Sequence, residues 1–288
     1  MQIKEYLNRR NILFFLFFVV AFLMAYAPIK AIYTSSANRE YYSHIVLIPL
    51  VSIYLVFLNR KIIFSQINYS FIAGIAAMLI GVLIYFVGRF SGDQFNQNDF
   101  TAIIALSAVV FINGAFILCF GLQAFKDALF PLIFLLFLCP IPSNIMEEFI
   151  YLLQIGSTEF SNLMFMASGV PFLREGFVFH LSGMSVEVAK QCSGIRSALA
   201  LFITALLAGH LFLNTWWKKV ILVLCIFPIA MFKNGIRIVS LTLLGTYVDP
   251  RILKSSLHQE GGIPFFIVAL LLMAPILYFL RRSEKKSK

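Results

Sequence analysis

The stretch CSGIRSALALFITALLAGHLFL, residues 192–213, decides how this chain is read. Its apolar body, from residue 195 onward, is long enough to cross a bilayer as a helix. Its head, Cys192-Ser193-Gly194-Ile195-Arg196, puts a thiol, two small residues and a guanidinium at the first turn of that helix. Arginine inside a membrane is costly and as a rule marks a functional site. Two similar clusters follow downstream, Lys233-Asn234-Gly235-Ile236-Arg237 and His258-Gln259-Glu260-Gly261-Gly262.

The pattern of an apolar run with charged flanks recurs on both sides of this stretch. Sixty per cent of the residues are hydrophobic and 12 per cent are charged, outside the range of a soluble globular domain. The expected fold is an all-α polytopic membrane protein, a single integral membrane domain over residues 1–288. About eight transmembrane helices are read, at 12–29, 45–58, 71–90, 100–120, 128–141, 192–213, 219–238 and 263–280. Ser35-Ser36-Ala37 resembles a signal-peptide cleavage site, but the run before it exceeds a usual signal core, so the first helix is expected to be retained. The net charge of +10 does not imply nucleic acid, because the basic residues flank apolar runs rather than forming a soluble patch. The four cysteines (119, 139, 192 and 225) show no CxxC spacing or metal-ligand pattern, so no metal and no cofactor is expected.

Charge bias orients the chain. With the N-terminus in the cytoplasm, the inner segments hold 13 of the 23 Lys and Arg residues, including Lys4, Arg9, Arg10, Lys218, Lys219 and the basic C-terminal tail. Both termini are therefore expected to be cytoplasmic, in the plasma (inner) membrane of a prokaryote. The segment 142–191 is expected outside, with an amphipathic helix over 144–167 lying at the interface or capping the bundle. A short hairpin over 177–188 follows, turning at Ser182-Gly183.

This threading brings the three clusters to one level. Arg237 lies roughly 27 Å along its helix from Lys219, about one bilayer core, and so at the depth of Cys192. His258 precedes the last span at the same face. A thiol at a helix start beside Arg196 has its thiolate favoured. His258 suits acid–base work or an ion pair with the thiolate, and Arg237 suits stabilising an oxyanion. Asn234, three residues before Arg237, is placed to orient it. The plain alternatives are packing for Cys192, ties to outer glutamates for the two arginines, and solvation for His258. His180 and His210 are read as structural, and His44, at the outer end of its span, as a substrate contact.

At these residues the sequence resembles the exosortase/archaeosortase family. The likeness includes Ala189-Lys190-Gln191-Cys192-Ser193-Gly194-Ile195-Arg196-Ser197, the pair Asn234 and Arg237, and His258 with Gly261-Gly262. It extends to Tyr42-Ser43-His44 with Leu47-Ile48-Pro49-Leu50, and to Phe130-Pro131-Leu132 with Cys139-Pro140-Ile141-Pro142. The resemblance implies a membrane-embedded cysteine transpeptidase with Cys192, Arg237 and His258 as catalytic residues. Arg196, Ser193, Asn234 and His44 would then contact substrate or support those three. Its partners would be exported proteins ending in a short motif such as Pro-Glu-Pro, a transmembrane helix and a basic tail, together with membrane lipid. Competing readings are a transporter or anion-handling channel, a cysteine acyltransferase acting on lipid, and a non-catalytic assembly subunit for exported polymers.

Overall fold

The computed structural model describes residues 8–34, 43–249, 251 and 262–286. His258, Gly261, Tyr42 and Ser35-Ser36-Ala37 lie outside these described residues. The all-α polytopic membrane fold is present, with 81% of the structure helical. The chain divides into two compact units, Met1–Ile145 and Met146–Lys288.

The first unit is built on three long helices, α1 (Arg9–Thr34), α4 (Phe71–Phe90) and α5 (Gln97–Phe120). Shorter helices accompany them: α2 (Leu47–Leu58), α3 (Arg60–Ile63), α6 (Leu122–Asp127) and α7 (Leu129–Phe134). Gly74, Gly81 and Gly88 recur every seven residues on α4, and all three are buried. A Cβ at Gly74 would lie 2.5 Å from the Leu118 Cα, and one at Gly81 would lie 2.8 Å from the Phe111 backbone nitrogen. The two antiparallel helices therefore meet backbone to backbone, as lipid-embedded helices do when small residues line the contact. On the other side of α5, Phe14 and Phe17 of α1 meet Phe116 and Phe111 edge to face.

The second unit contains α8 (Ser143–Ser168, mostly in this unit), a three-stranded antiparallel sheet, and the helices α9 (Ile195–Phe212), α10 (Trp216–Leu224), α11 (Ile226–Tyr247) and α12 (Gly262–Lys286). The strands are β1 (Phe172–Glu175), β2 (Val178–Leu181) and β3 (Met184–Glu187), in that order. The expected hairpin is β2–β3, with His180 opposite Ser185. Phe179 and Leu181 turn inward against Phe165 of α8 and Ile238 and Val239 of α11. At the far end of α9, the Glu284 carboxylate of α12 accepts the N–H groups of Asn214 (3.0 Å) and Thr215 (2.8 Å). Beside it Lys218 donates to Ser283 Oγ at 2.8 Å, which fastens the start of α10 to the end of α12.

Among the described residues, six helices are long and apolar enough to cross a membrane, or seven if the pair Leu129–Leu138 and Ser143–Ser168 makes one span. The count of eight is not reached, for identifiable reasons. The expected span at 45–58 is a 3₁₀ turn followed by α2, whose 12 residues reach only about 18 Å. The expected span at 128–141 is broken into α7 and a 3₁₀ turn before Pro140 and Pro142, which cannot donate to a continuing helix. The expected span at 219–238 is longer than read, running over Trp216–Tyr247 with a break at Cys225, so Arg237 lies well inside α11.

The glycine stripe yields a direct test. Gly81→Leu must push α4 off the Phe111 backbone, and overpacking of this kind costs about 1–3 kcal/mol. The expected result is a lower thermal midpoint for the purified protein in detergent, measured beside Ile72→Leu on the exposed face of α4, which should leave it unchanged.

Candidate functional site

Cys192 closes a 3₁₀ turn, Lys190–Cys192, and the helix α9 begins only at Ile195. This corrects the expectation that the thiol occupies the helix's first turn. The intervening Gly194 caps α9 with φ +75°, a left-handed conformation that a side chain would strain. The backbone thus turns sharply between the thiol and the helix.

Two adjacent residues of α11 hold this turn. Asn234, fully buried, donates through Nδ2 to the Cys192 carbonyl oxygen at 2.7 Å and to Ser157 Oγ of α8 at 3.0 Å. Lys233, 3% exposed, donates through Nζ to Ser197 Oγ, which in turn donates to the Gly194 carbonyl at 2.9 Å. A Cβ on Gly194 would sit 3.0 Å from Asn234 Oδ1 and 3.4 Å from Lys233 Nζ. Asn234 was expected to orient Arg237. Its amide hydrogens instead go to the cysteine's own carbonyl and to α8.

The reach of so short a side chain depends on close helix packing. Asn234 is followed by Gly235, where a Cβ would lie 3.0 Å from the Phe160 Cβ. Ser157 is preceded by Gly156, which the Met231 side chain covers. Gln154, Ser157, Thr158 and Ser161 recur at helical spacing along α8, and all four are buried. Gln154 donates to the Val188 carbonyl at 2.6 Å and so fixes the strand end that leads to Cys192. The helix is therefore amphipathic in an unexpected sense. Its small polar residues face protein, while Glu147, Glu148 and Glu159 are exposed.

Cys192 and Arg237 line one pocket of about 70 Å³. Its other walls are Val186 and Glu187 of β3 and Ile238, Leu241 and Thr242 of α11. The site thus offers a thiol, a guanidinium and a carboxylate against an apolar wall. Arg196 is exposed and is not among the residues lining this pocket. Ser193 is buried beside the turn. His44 lies in the 3₁₀ turn Ser43–Val46 of the first unit, and His258 is outside the described residues. Of the outer glutamates, two have partners elsewhere, while Glu187 lines the pocket with Arg237. Glu159 makes two hydrogen bonds to Arg174, at 2.6 and 3.1 Å, and Glu175 lies 3.6 Å from His180 Nε2.

Sequence reading found Cys192 and Arg237 by their oddity in apolar helices. It passed over Ser157, Ser197 and the wall from β3. The spacing of 154, 157, 158 and 161 was the available signal, since four small polar residues on one stripe of an apolar helix need a protein partner.

Together these features define a helical membrane protein with a thiol site built on irregular backbone at the start of a spanning helix. The chain belongs to the transmembrane exosortase family, whose profile matches residues 36–275. Membership makes it a multi-pass membrane transpeptidase or protease whose substrates are exported proteins with C-terminal sorting signals. No curated protein and no solved structure matches the chain.

Asn234→Leu, close in volume, would leave the Cys192 carbonyl and Ser157 without their donor. Burying such groups unpaired costs about 1–3 kcal/mol. The expected outcome is a lower thermal midpoint together with altered alkylation of Cys192. Asn234→Ser, which keeps a donor but shortens its reach, should not restore either property.

Proposed function

We propose that the chain is a cysteine transpeptidase that cuts a C-terminal sorting signal through a thioester on Cys192. The observation that carries this reading is the shared pocket of Cys192 and Arg237. The hydrogen bond from Asn234, on the same helix as Arg237, to the Cys192 carbonyl supports it by fixing nucleophile and guanidinium relative to each other.

In the proposed reaction the Cys192 thiolate attacks the scissile carbonyl, forming a C–S bond and a tetrahedral oxyanion. Arg237, permanently charged, stabilises that oxyanion. Collapse breaks the C–N bond, and the departing amine, the head of the signal's transmembrane segment, takes a proton from His258. An acceptor nucleophile then attacks the thioester, gives its proton to the histidine and frees the thiol. His258 enters this scheme from the family resemblance and from its place in the sequence just before α12.

The substrate signal is proposed to be of the Pro-Glu-Pro type, followed by one transmembrane helix and a basic tail, with the site at the outer face. An anchored substrate presents its scissile bond at one depth, so the bilayer itself supplies alignment that a soluble enzyme would need a binding domain to provide. The apolar wall of Ile238, Leu241 and Val186 suits the residues around such a bond. A transporter or anion channel would call for charged groups along a path through mid-membrane. The described cations of the second unit gather instead at the Cys192 site, on the sheet, and at the ends of the helices.

Cys192→Ala should abolish processing of a co-expressed exported protein bearing such a signal, while membrane level stays normal. A hydroxylamine-labile adduct should accumulate on wild-type Cys192 under acceptor limitation. Processing by the Cys192→Ala variant would end the thiol mechanism. Arg237→Lys keeps charge but loses the planar fork, and should slow adduct formation by about 10²–10³. A C-terminal reporter should register as cytoplasmic and a cysteine at Ser182 should label from outside. The reverse result would put the site on the wrong face for an exported substrate.

A further inference from the structure

Lys233 is a buried cation that the reaction scheme does not use. It lies on α11 one turn before Arg237, 3% exposed, and donates to Ser197 Oγ. No carboxylate among the described residues lies within salt-bridge distance of it. Burying an ammonium without a counter-ion is costly, so a well-packed apolar residue would serve stability better here. The ammonium also sits against one particular backbone feature, the Gly194 turn, 3.4 Å from where a Cβ would be.

We infer that Lys233 is a positioning residue for Cys192, tethering the Gly194 turn through Ser197 while its ammonium serves as the charge partner of the thiolate. This rests on the reading of Cys192 as the nucleophile. Sequence spacing gave that electrostatic part to Arg196, but Arg196 is exposed. Lys233 is instead enclosed with the turn, in a low-dielectric setting where a charge acts more strongly.

The other charges around the thiol are few. Arg237 and Glu187 line the same pocket, and Lys190 is exposed on the turn itself. The face of α8 turned to the site carries only neutral Gln154, Ser157, Thr158 and Ser161, with Glu159 turned out toward Arg174. On α9 the nearest charge is Arg196, and the described charges of α12, Arg281, Arg282, Glu284, Lys285 and Lys286, stand at its far end. Removing Lys233 therefore takes away the cation buried against the Gly194 turn, and Arg237 remains in the pocket.

The test uses the full chain in lipid nanodiscs, with Cys119, Cys139 and Cys225 replaced by alanine. The alkylation rate of Cys192 by iodoacetamide is followed against pH. Lys233→Met should move the midpoint upward by about one pH unit, slowing alkylation at pH 7 about tenfold, with the high-pH plateau retained. Lys233→Arg should keep the midpoint, and so should Arg196→Met. If Lys233→Met does not fold, Lys233→Gln provides the same test, because its amide can still donate to Ser197 Oγ but carries no charge, and it should raise the midpoint likewise. An unmoved midpoint in the folded variant, or an equal shift from Arg196→Met, would overturn the inference. This readout needs no substrate. Loss of the transpeptidase reading would show separately, as processing retained by Cys192→Ala.

Discussion

The hydrogen bonds made by the Asn234 amide are the constraint on which the site depends. One short side chain joins three elements that are distant in sequence: α11, which carries it, α8 through Ser157, and the turn that presents Cys192. A polar group buried away from water must be satisfied internally, and in lipid there is no solvent to substitute. The two helices can meet this demand only if they approach closely, which is why Gly156 and Gly235 stand next to the two bonded residues. Helix packing and the placement of the thiol are therefore one problem with one solution. A change that separates α8 from α11 would also release the cysteine.

The sheet extends the same logic. α11 continues ten residues beyond Arg237, and that extension is covered by Phe179 and Leu181 of β2 packing with Ile238 and Val239. The sheet in turn delivers Val186 and Glu187 from the end of β3 to the pocket wall. Packing that completes the apolar core of the second unit thus also closes the site. The bidentate pair of Arg174 with Glu159 ties β1 back onto α8, on the exposed side where it is worth little to stability but fixes the angle of the sheet.

Much of this was legible in the sequence, and the limits have physical causes. Apolar runs identified the class; Arg196 and Arg237 stood out because charges are expensive in such runs, and Cys192 because a cation lies one turn away. The helix over 144–167 and the turn at Ser182-Gly183 were readable from periodicity and turn chemistry, and they match α8 and the β2–β3 hairpin. Strand β1 was missed because Phe172–Glu175 is four residues long and one of them is Arg174, too short for any period to register. The span at 128–141 was over-read because hydropathy counts Pro140 and Pro142 as interruptions too mild to end a helix. The partner of Asn234 was misjudged because spacing along one helix reveals shared faces, whereas a contact with Ser157, 77 positions away, depends on how two helices cross.

The irregular backbone around Cys192 is the feature a lipid-embedded protein can least afford without support, and its backbone polar groups are largely accounted for, although the buried Ser193 Oγ and Asn234 Oδ1 find no partner among the described residues. The Val188 nitrogen donates to Phe177 and its carbonyl accepts from Gln154. The nitrogens of Cys192 and Ser193 donate to the carbonyls of Ala189 and Lys190. The Cys192 carbonyl accepts from Asn234, and the Gly194 carbonyl from both Ala198 and the Ser197 hydroxyl. Non-helical backbone is tolerated at membrane depth only where protein or a water-filled cavity satisfies it. Here protein side chains do so, from two helices that the turn itself does not belong to. A thiol placed in a regular helix would point wherever the helical screw sent it. Set on a turn held from outside by Asn234 of α11 and, through Val188, by Gln154 of α8, it takes its direction from those helices, and α11 is the helix that carries Arg237 into the same pocket.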